Sequence, residues 1–377
     1  MARDQQEEVR PMRDIRLLSG VQIGNWELAN RVVMPPLTRS RAEADWSPSQ
    51  WAAEYYGQRS GAGLVIAEAT QVSPDAGGYC RTPGIWTDRQ TSEWAKVVTA
   101  IKSKGSIAVL QCWHTGRIGH PDNMPEGCFP MGPSAVRPAT PMYTDVAEGN
   151  VENPIPREMT EADIRHVINA YGHAAENAKK AGFDGFEIHA ANGYLIEQFA
   201  AACTNQRTDA WGGTLEKRMR FLAEVIEAVA KVYDRAAIGV RLSPFGTFND
   251  INEAEPMAMY EAMLAVVQKA GVGYIHIIRP RVSGDEDRTA SDADTDVLAR
   301  ARGIYKGPII AAGGFTAETA EAELMSGRAD LIAFGRDHVA NPDLIERLRR
   351  DLPLNAVDFD TLYTTGPVGY TDYPFAI

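Results

Sequence analysis

The sequence predicts an α/β protein built as a single (β/α)8 TIM barrel. Three observations predict it: eight short apolar runs, amphipathic helical segments between them, and polar residues gathered just after the runs. Right-handed crossovers between parallel strands put every helix outside, so eight such units close most simply into a barrel. A doubly wound open sheet has the same periodicity and is the rival arrangement.

Residues 1–14 are charged and lack an apolar stretch, which predicts a disordered N-terminal extension and not a signal peptide. The barrel domain is expected over 15–377. The run LLSGVQIGNWEL near its start suggests a β-hairpin plugging the barrel bottom. Strands are expected at 31–34, 63–68, 106–112, 184–188, 237–242, 273–278, 308–312 and 330–334. Short apolar or alternating runs suit parallel strands covered on both faces. Thr160 can cap a helix with the stripe Ile164, Val167, Ile168, Tyr171, Ala174 and Ala178, and Gly182 supplies a left-handed stop. Thr214 precedes a stripe of Leu222, Val225, Ile226, Val229 and Val232. Asn341-Pro342 reads as a helix start, with Leu344, Ile345 and Leu348 facing inward. One connection is abnormally long. The excursion after the third strand carries Pro121, Pro125, Pro130, Pro133, Pro138, Pro141, Pro154 and Pro156, and is either a lid over a site or a variable surface insertion.

Composition narrows the function. The 377 residues are 44% hydrophobic, enough for a large core. A net charge of -12 and no clustered cationic stretch argue against nucleic acid as a partner. Cys80, Cys112, Cys128 and Cys203 form no CxxC pair, so neither a disulfide framework nor a zinc site is expected, and a reducing cytoplasm is the natural compartment. No run approaches the roughly 18–20 apolar residues that span a bilayer, so no membrane partner is expected. A monomer and a homo-oligomer are both open.

Barrel chemistry is built at the carboxyl ends of the strands. In order, those ends offer Pro35, Pro36 and Thr38; Glu68, Ala69 and Thr70; Gln111, Trp113 and His114; His189, Asn192 and Tyr194; Arg241; Arg279; Gly313 and Gly314; and Gly335 and Arg336. No strand ends in lysine, which removes Schiff-base and pyridoxal chemistry. The ends lack the carboxylate cluster of a magnesium enolase-type site, and His189 with Asn192 makes no metal pair. Glycine amides at Gly313-Gly314 can approach a phosphate closely, and Gly335-Arg336 adds a fork-shaped cation where barrels often hold phosphate. Arg241 lies within a strand, where an unpaired buried cation costs several kcal/mol. Its partner is either Glu187 or Glu68 in a structural ion pair, or a ligand that becomes negative during turnover.

Taken together, NRVVMPPLTRSRA (30–42), EATQVS (68–73), QCWHTGR (111–117), HAANGYLIEQF (189–199), NQRTDAWGG (205–213), GVRLSP (239–244), AFGRDHVANPDL (333–344) and GYTDYP (369–374) resemble the Old Yellow Enzyme family over roughly residues 15–377. The resemblance implies a tightly bound FMN at the barrel mouth, its phosphate on Gly313, Gly314, Gly335 and Arg336. Pro36, Thr38 and Ala69 would line its ring, Thr38 tuning the potential; Gln111 would bond the pyrimidine edge, and Arg241 would stabilise the charge gathered there on reduction. NAD(P)H would reduce the flavin and leave. An electron-poor alkene, a carbonyl or nitro compound, would then stack over it with its oxygen held by His189 and Asn192. Tyr194 would protonate the α-carbon, and Trp113, Tyr79 and Tyr363 would shape the pocket. Trp211, Lys217 and Thr364-Thr365 depart from the family pattern, which bears on local packing and the pocket rim. The acidic tract after the sixth strand assigns no specificity. The alternatives are a flavin barrel with another electron acceptor, or one that holds flavin without turnover. Amine-demethylating relatives of this barrel carry an iron–sulfur cysteine cluster, which the four scattered cysteines do not supply.

Overall fold

The computed structural model describes residues 13–283, 286–287 and 296–376. Residues 1–12 of the expected extension, and most of the acidic tract after the sixth strand, lie outside the described residues.

Parallel strands β1 (Val32–Met34), β2 (Leu64–Gln71), β3 (Ile107–Trp113), β4 (Gly185–His189), β5 (Ile238–Leu242), β6 (Tyr274–Ile278), β7 (Ile309–Ala312) and β8 (Leu331–Ala333) close into a barrel, each beside its sequence neighbour. Closure removes the open sheet. The strands fall where the apolar runs put them, except that β2 runs on to Gln71 across a register shift between Ala67 and Thr70. Such bulges re-aim side chains beside sites.

A side-chain period of two sorts each strand. Ala108, Leu110 and Cys112, or Phe186 and Ile188, face out under the helices. Those helices are α1 (Ala52–Gln58), α2 (Asp88–Lys102), α3 (Glu161–Ala181), α4 (Arg220–Ala230), α5 (Pro256–Ala270), α6 (Val297–Ile304), α7 (Ala317–Met325) and α8 (Leu344–Arg350). Thr160 caps α3 in a reciprocal box with Asp163, and Gly182 ends it at φ 99°.

Two helix expectations need correction. Thr214 caps a separate short helix, Leu215–Arg218, while α4 follows a turn at Met219 and ends before Val232. Asn341 does not start α8; it closes the helix Gly335–Ala340 and accepts the Asn355 N–H at 2.7 Å. That tertiary bond holds it, and α8 begins at Leu344 with Leu344, Ile345 and Leu348 buried as expected.

The hairpin Val21–Ile23 and Trp26–Leu28 seals the bottom. Its Ile23, Trp26 and Leu28 pack with inward Val33, Leu64, Val109 and Leu331. Gly185 makes room: a Cβ there would lie 2.7 Å from the Trp26 indole. At the other end, the excursion forms the hairpin Met142–Thr144 with Gly149–Val151, and its Pro141, Met142 and Tyr143 line the barrel mouth. The excursion is therefore part of the wall over a cavity.

Candidate active site

One cavity of about 1600 Å³ opens at the carboxyl ends of the strands. It is lined at one end by Gly313, Gly314, Gly335 and Arg336, in the middle by Pro36, Thr38, Ala69, Gln111 and Arg241, and at the other end by His189, Asn192, Tyr194, Trp113, Tyr79 and Tyr363. The residues to which the family resemblance gave a role thus meet in one space, whereas the strand-end residues Glu68, Thr70, His114 and Arg279 are not in its lining. The rest of the geometry shows what each can do there.

His189 is buried, stacked on Trp113 with ring centroids 6.1 Å apart. Its Nδ1 accepts the Ala191 N–H at 3.3 Å, so the ring proton sits on Nε2. Burial first, then Arg241 and His276, holds the imidazole well below its ordinary range, so it is a neutral donor at pH 7. The following turn is strained: Asn192 has φ 59° and Gly193 φ 74°. Polar contacts fix it. The Asn192 N–H donates to Ser243 Oγ at 2.8 Å, and the Gly193 N–H to Glu197 Oε2 at 2.6 Å. Gly193 is required there, because a Cβ would meet Asn249 Cβ at 2.7 Å. Tyr194 follows, its hydroxyl donating to Tyr79 Oη at 3.2 Å. Burial, then Tyr79, raises the Tyr194 phenol well above its ordinary value and keeps it protonated.

Arg241 is the decisive polar group in the middle. Neither ion pair considered from the sequence forms. Glu68 accepts from the Arg39 N–H at 3.2 Å, and Glu187 is taken by Gln111, Tyr274 and His276. Among the described residues nothing bonds Arg241 Nε, which is buried. Arg241 is half-buried, and Glu187 acts on it through space without touching it, so its guanidinium stays able to take an anion in the cavity. At the far end Gly313 and Gly314 have φ 113° and 64°, a backbone that side chains resist, and Arg279 braces them by donating to the Gly313 carbonyl at 3.0 Å.

Sequence reasoning missed several contributors. Asn249, at φ 57° in the loop after β5, donates to the Asn192 carbonyl at 2.8 Å and reaches Tyr79 Oη at 3.5 Å. Arg81 ion-pairs with Asp145 of the excursion and donates to the Ser40 and Tyr363 carbonyls, each at 2.9 Å. Arg39, Arg41 and Arg59 surround the stacked Tyr55–Tyr370 pair and donate to main-chain carbonyls of Leu362, Gly366, Val368, Gly369 and Tyr370. No local pattern signals these contacts, since each joins loops distant in the chain. Trp211, a departure from the family pattern, is buried between Arg165 and Arg220 and donates to Glu161.

Residues 16–355 match the family model for the NADH:flavin oxidoreductase / NADH oxidase family. The chain belongs to the Old Yellow Enzyme family. This Old Yellow Enzyme is 42% identical over 364 residues to 12-oxophytodienoate reductase 1 of Oryza sativa subsp. japonica, covering 96% of this chain and 93% of that one. Its structure resembles morphinone reductase in complex with tetrahydroNAD, with TM-score 0.88, 41% identity and coverage of 96% and 98%. It also resembles an old yellow enzyme homologue from Zymomonas mobilis, with TM-score 0.88, 35% identity and coverage of 95% and 99%. Old Yellow Enzymes are FMN-dependent, and this one is an NAD(P)H-dependent ene-reductase acting on activated alkenes. The cavity fits FMN: the Arg241 guanidinium, its Nε unbonded among the described residues, and the positive-φ glycines Gly313 and Gly314 line it together. No helix among the described residues is long and apolar enough to cross a membrane.

Proposed function

We propose that residues 15–377 act as one catalytic domain in which Tyr194 is the proton donor to an alkene whose oxygen is held by His189 and Asn192. When bound, FMN would supply hydride chemistry for the alkene. Gly313, Gly314, Gly335 and Arg336 bind its phosphate; Pro36, Thr38 and Ala69 pack on its ring; Gln111 and Arg241 meet its pyrimidine edge. Arg241 favours negative charge there, because its guanidinium lines the cavity and its Nε has no hydrogen-bond partner among the described residues. His189 Nε2–H and the Asn192 side-chain amide donate to the carbonyl or nitro oxygen and draw charge away from the double bond. Tyr194 Oη then gives its proton to the α-carbon and regains one from solvent. Trp113, Tyr79 and Tyr363 shape the pocket. Relatives named for an oxo acid and for morphinone support a carbonyl as the activating group. Every residue named for the proposed site belongs to one chain, and a monomer and a homo-oligomer are both compatible with it. Four free cysteines support a reducing, cytoplasmic setting.

The observation that carries this reading is the buried, protonated Tyr194 hydroxyl in the same cavity as a neutral His189 with its proton on Nε2. Stopped-flow measurement of the two half-reactions tests it. Tyr194→Phe should slow reoxidation by an enone by about 10² to 10⁴, the usual worth of a general acid, and leave flavin reduction by NADPH near normal. Equal slowing of both halves would remove Tyr194 from the role.

A further inference from the structure

Beneath the cavity floor, Glu187, Tyr274 and His276 form a buried polar cluster to which the reaction above gives no part. Strand register builds it. Gln111 stands opposite Glu187, Arg241 opposite His276, and Gly239 opposite Tyr274. The period of two turns all of these inward. Glu187 is fully buried and accepts from Gln111 Nε2 at 2.7 Å, Tyr274 Oη at 3.0 Å and His276 Nδ1 at 3.1 Å. The reach of Tyr274 depends on Gly239, where a Cβ would lie 2.0 Å from its ring.

We propose that Glu187 is a positioning residue for flavin reduction, fixing which end of the Gln111 amide faces the cofactor and setting the electric field at Arg241. The proposal rests on the reading that Gln111 and Arg241 meet the pyrimidine edge. A carboxylate only accepts, so the Gln111 nitrogen must face Glu187 and its Oε1 is left for the cavity. Burial pushes the Glu187 carboxyl up, but the hydrogen bond from His276, the Arg241 charge and the hydrogen bond from Tyr274 outweigh it and hold it below the usual carboxylate range. Burial keeps His276 neutral, with its proton on the Nδ1 that donates to Glu187. The cluster therefore carries one fixed negative charge that opposes Arg241. Arg241 favours the reduced cofactor, and Glu187 limits that preference, leaving the hydride free to pass to an alkene.

The test uses holoenzyme and reads the midpoint potential of the bound flavin, with thermal melting as the check on folding. Glu187→Gln removes the charge and should shift the potential positive, by a ten-fold or greater rise in the reduced-to-oxidised binding ratio, about 30 mV for a two-electron couple. Tyr274→Phe removes a donor but keeps the charge, which is then less neutralised, so its shift should be smaller and negative. An unchanged potential in folded Glu187→Gln, or shifts of one sign in both variants, overturns the proposal. If Glu187→Gln does not fold, Tyr274→Phe decides alone: a negative shift supports the role and no shift removes it. Arg241→Met separates the two readings. It should weaken FMN binding and shift the potential negative. No change in either would overturn the pyrimidine-edge reading and this one with it, whereas a shift in Arg241→Met without one in Glu187→Gln overturns this proposal alone.

Discussion

Glu197, a single buried carboxyl, sits under the turn that carries Asn192 and Tyr194, accepting the Gly193 N–H and the Ser243 hydroxyl. Burial, only partly offset by those two donors, raises it from 4.5 to about 7. The folded protein therefore holds this proton more tightly than the unfolded chain does. Its contribution is fully present below pH about 4.5 and is lost as pH rises toward 7. Glu197→Gln keeps the shape and removes the titration. Relative to the parent, it should gain about 1–3 kcal/mol between pH 4.5 and 8, read by denaturant unfolding at several pH values. A difference that does not change with pH would show that the carboxyl is ionised throughout. At this scale the sequence afforded a clear view of residues at strand ends, because a period of two and the barrel mouth leave them one place to point. It gave no view of Glu197 or Asn249, whose partners are set by how loops cross.

Strands and helices were legible because burial on two faces writes itself into local pattern. The exceptions mark tertiary control. The bulge in β2 carries its pairing to Gln71, and Asn341 is held by Asn355 in spite of the Pro342 signal beside it. The N-terminal hairpin was readable as an element, and its energetic weight follows from the structure. Trp26 is 8% exposed and fills the space left by Gly185 against Tyr274. Trp26→Ala should cost about 3–5 kcal/mol, the usual range for emptying a buried aromatic position. Chemical denaturation checks this, and a loss under 1 kcal/mol would mean the hairpin lies on the barrel without supporting it.

For the whole molecule, binding and folding are linked through the cavity that Arg241 lines. Apoprotein given FMN at a hundred times its Kd should gain about 2.7 kcal/mol of stability, seen as a rise in Tm. Gly314→Val, forced from its φ of 64°, should lose most of that gain at the same FMN concentration. An undiminished rise would place the phosphate elsewhere. The closed barrel was the simplest arrangement of eight alternating units, with an open sheet as its rival. The grip of Arg39, Arg41 and Arg59 on the C-terminal segment was not legible, since it links residues near both ends of the chain. That grip is made almost wholly to peptide oxygens. Exchanging exposed side chains there, such as Phe359 and Val368, leaves those bonds intact. Substitutions can accumulate along this rim while its path over the cavity stays the same. Evolution can therefore vary which molecules are admitted without disturbing the electron-transfer chemistry underneath.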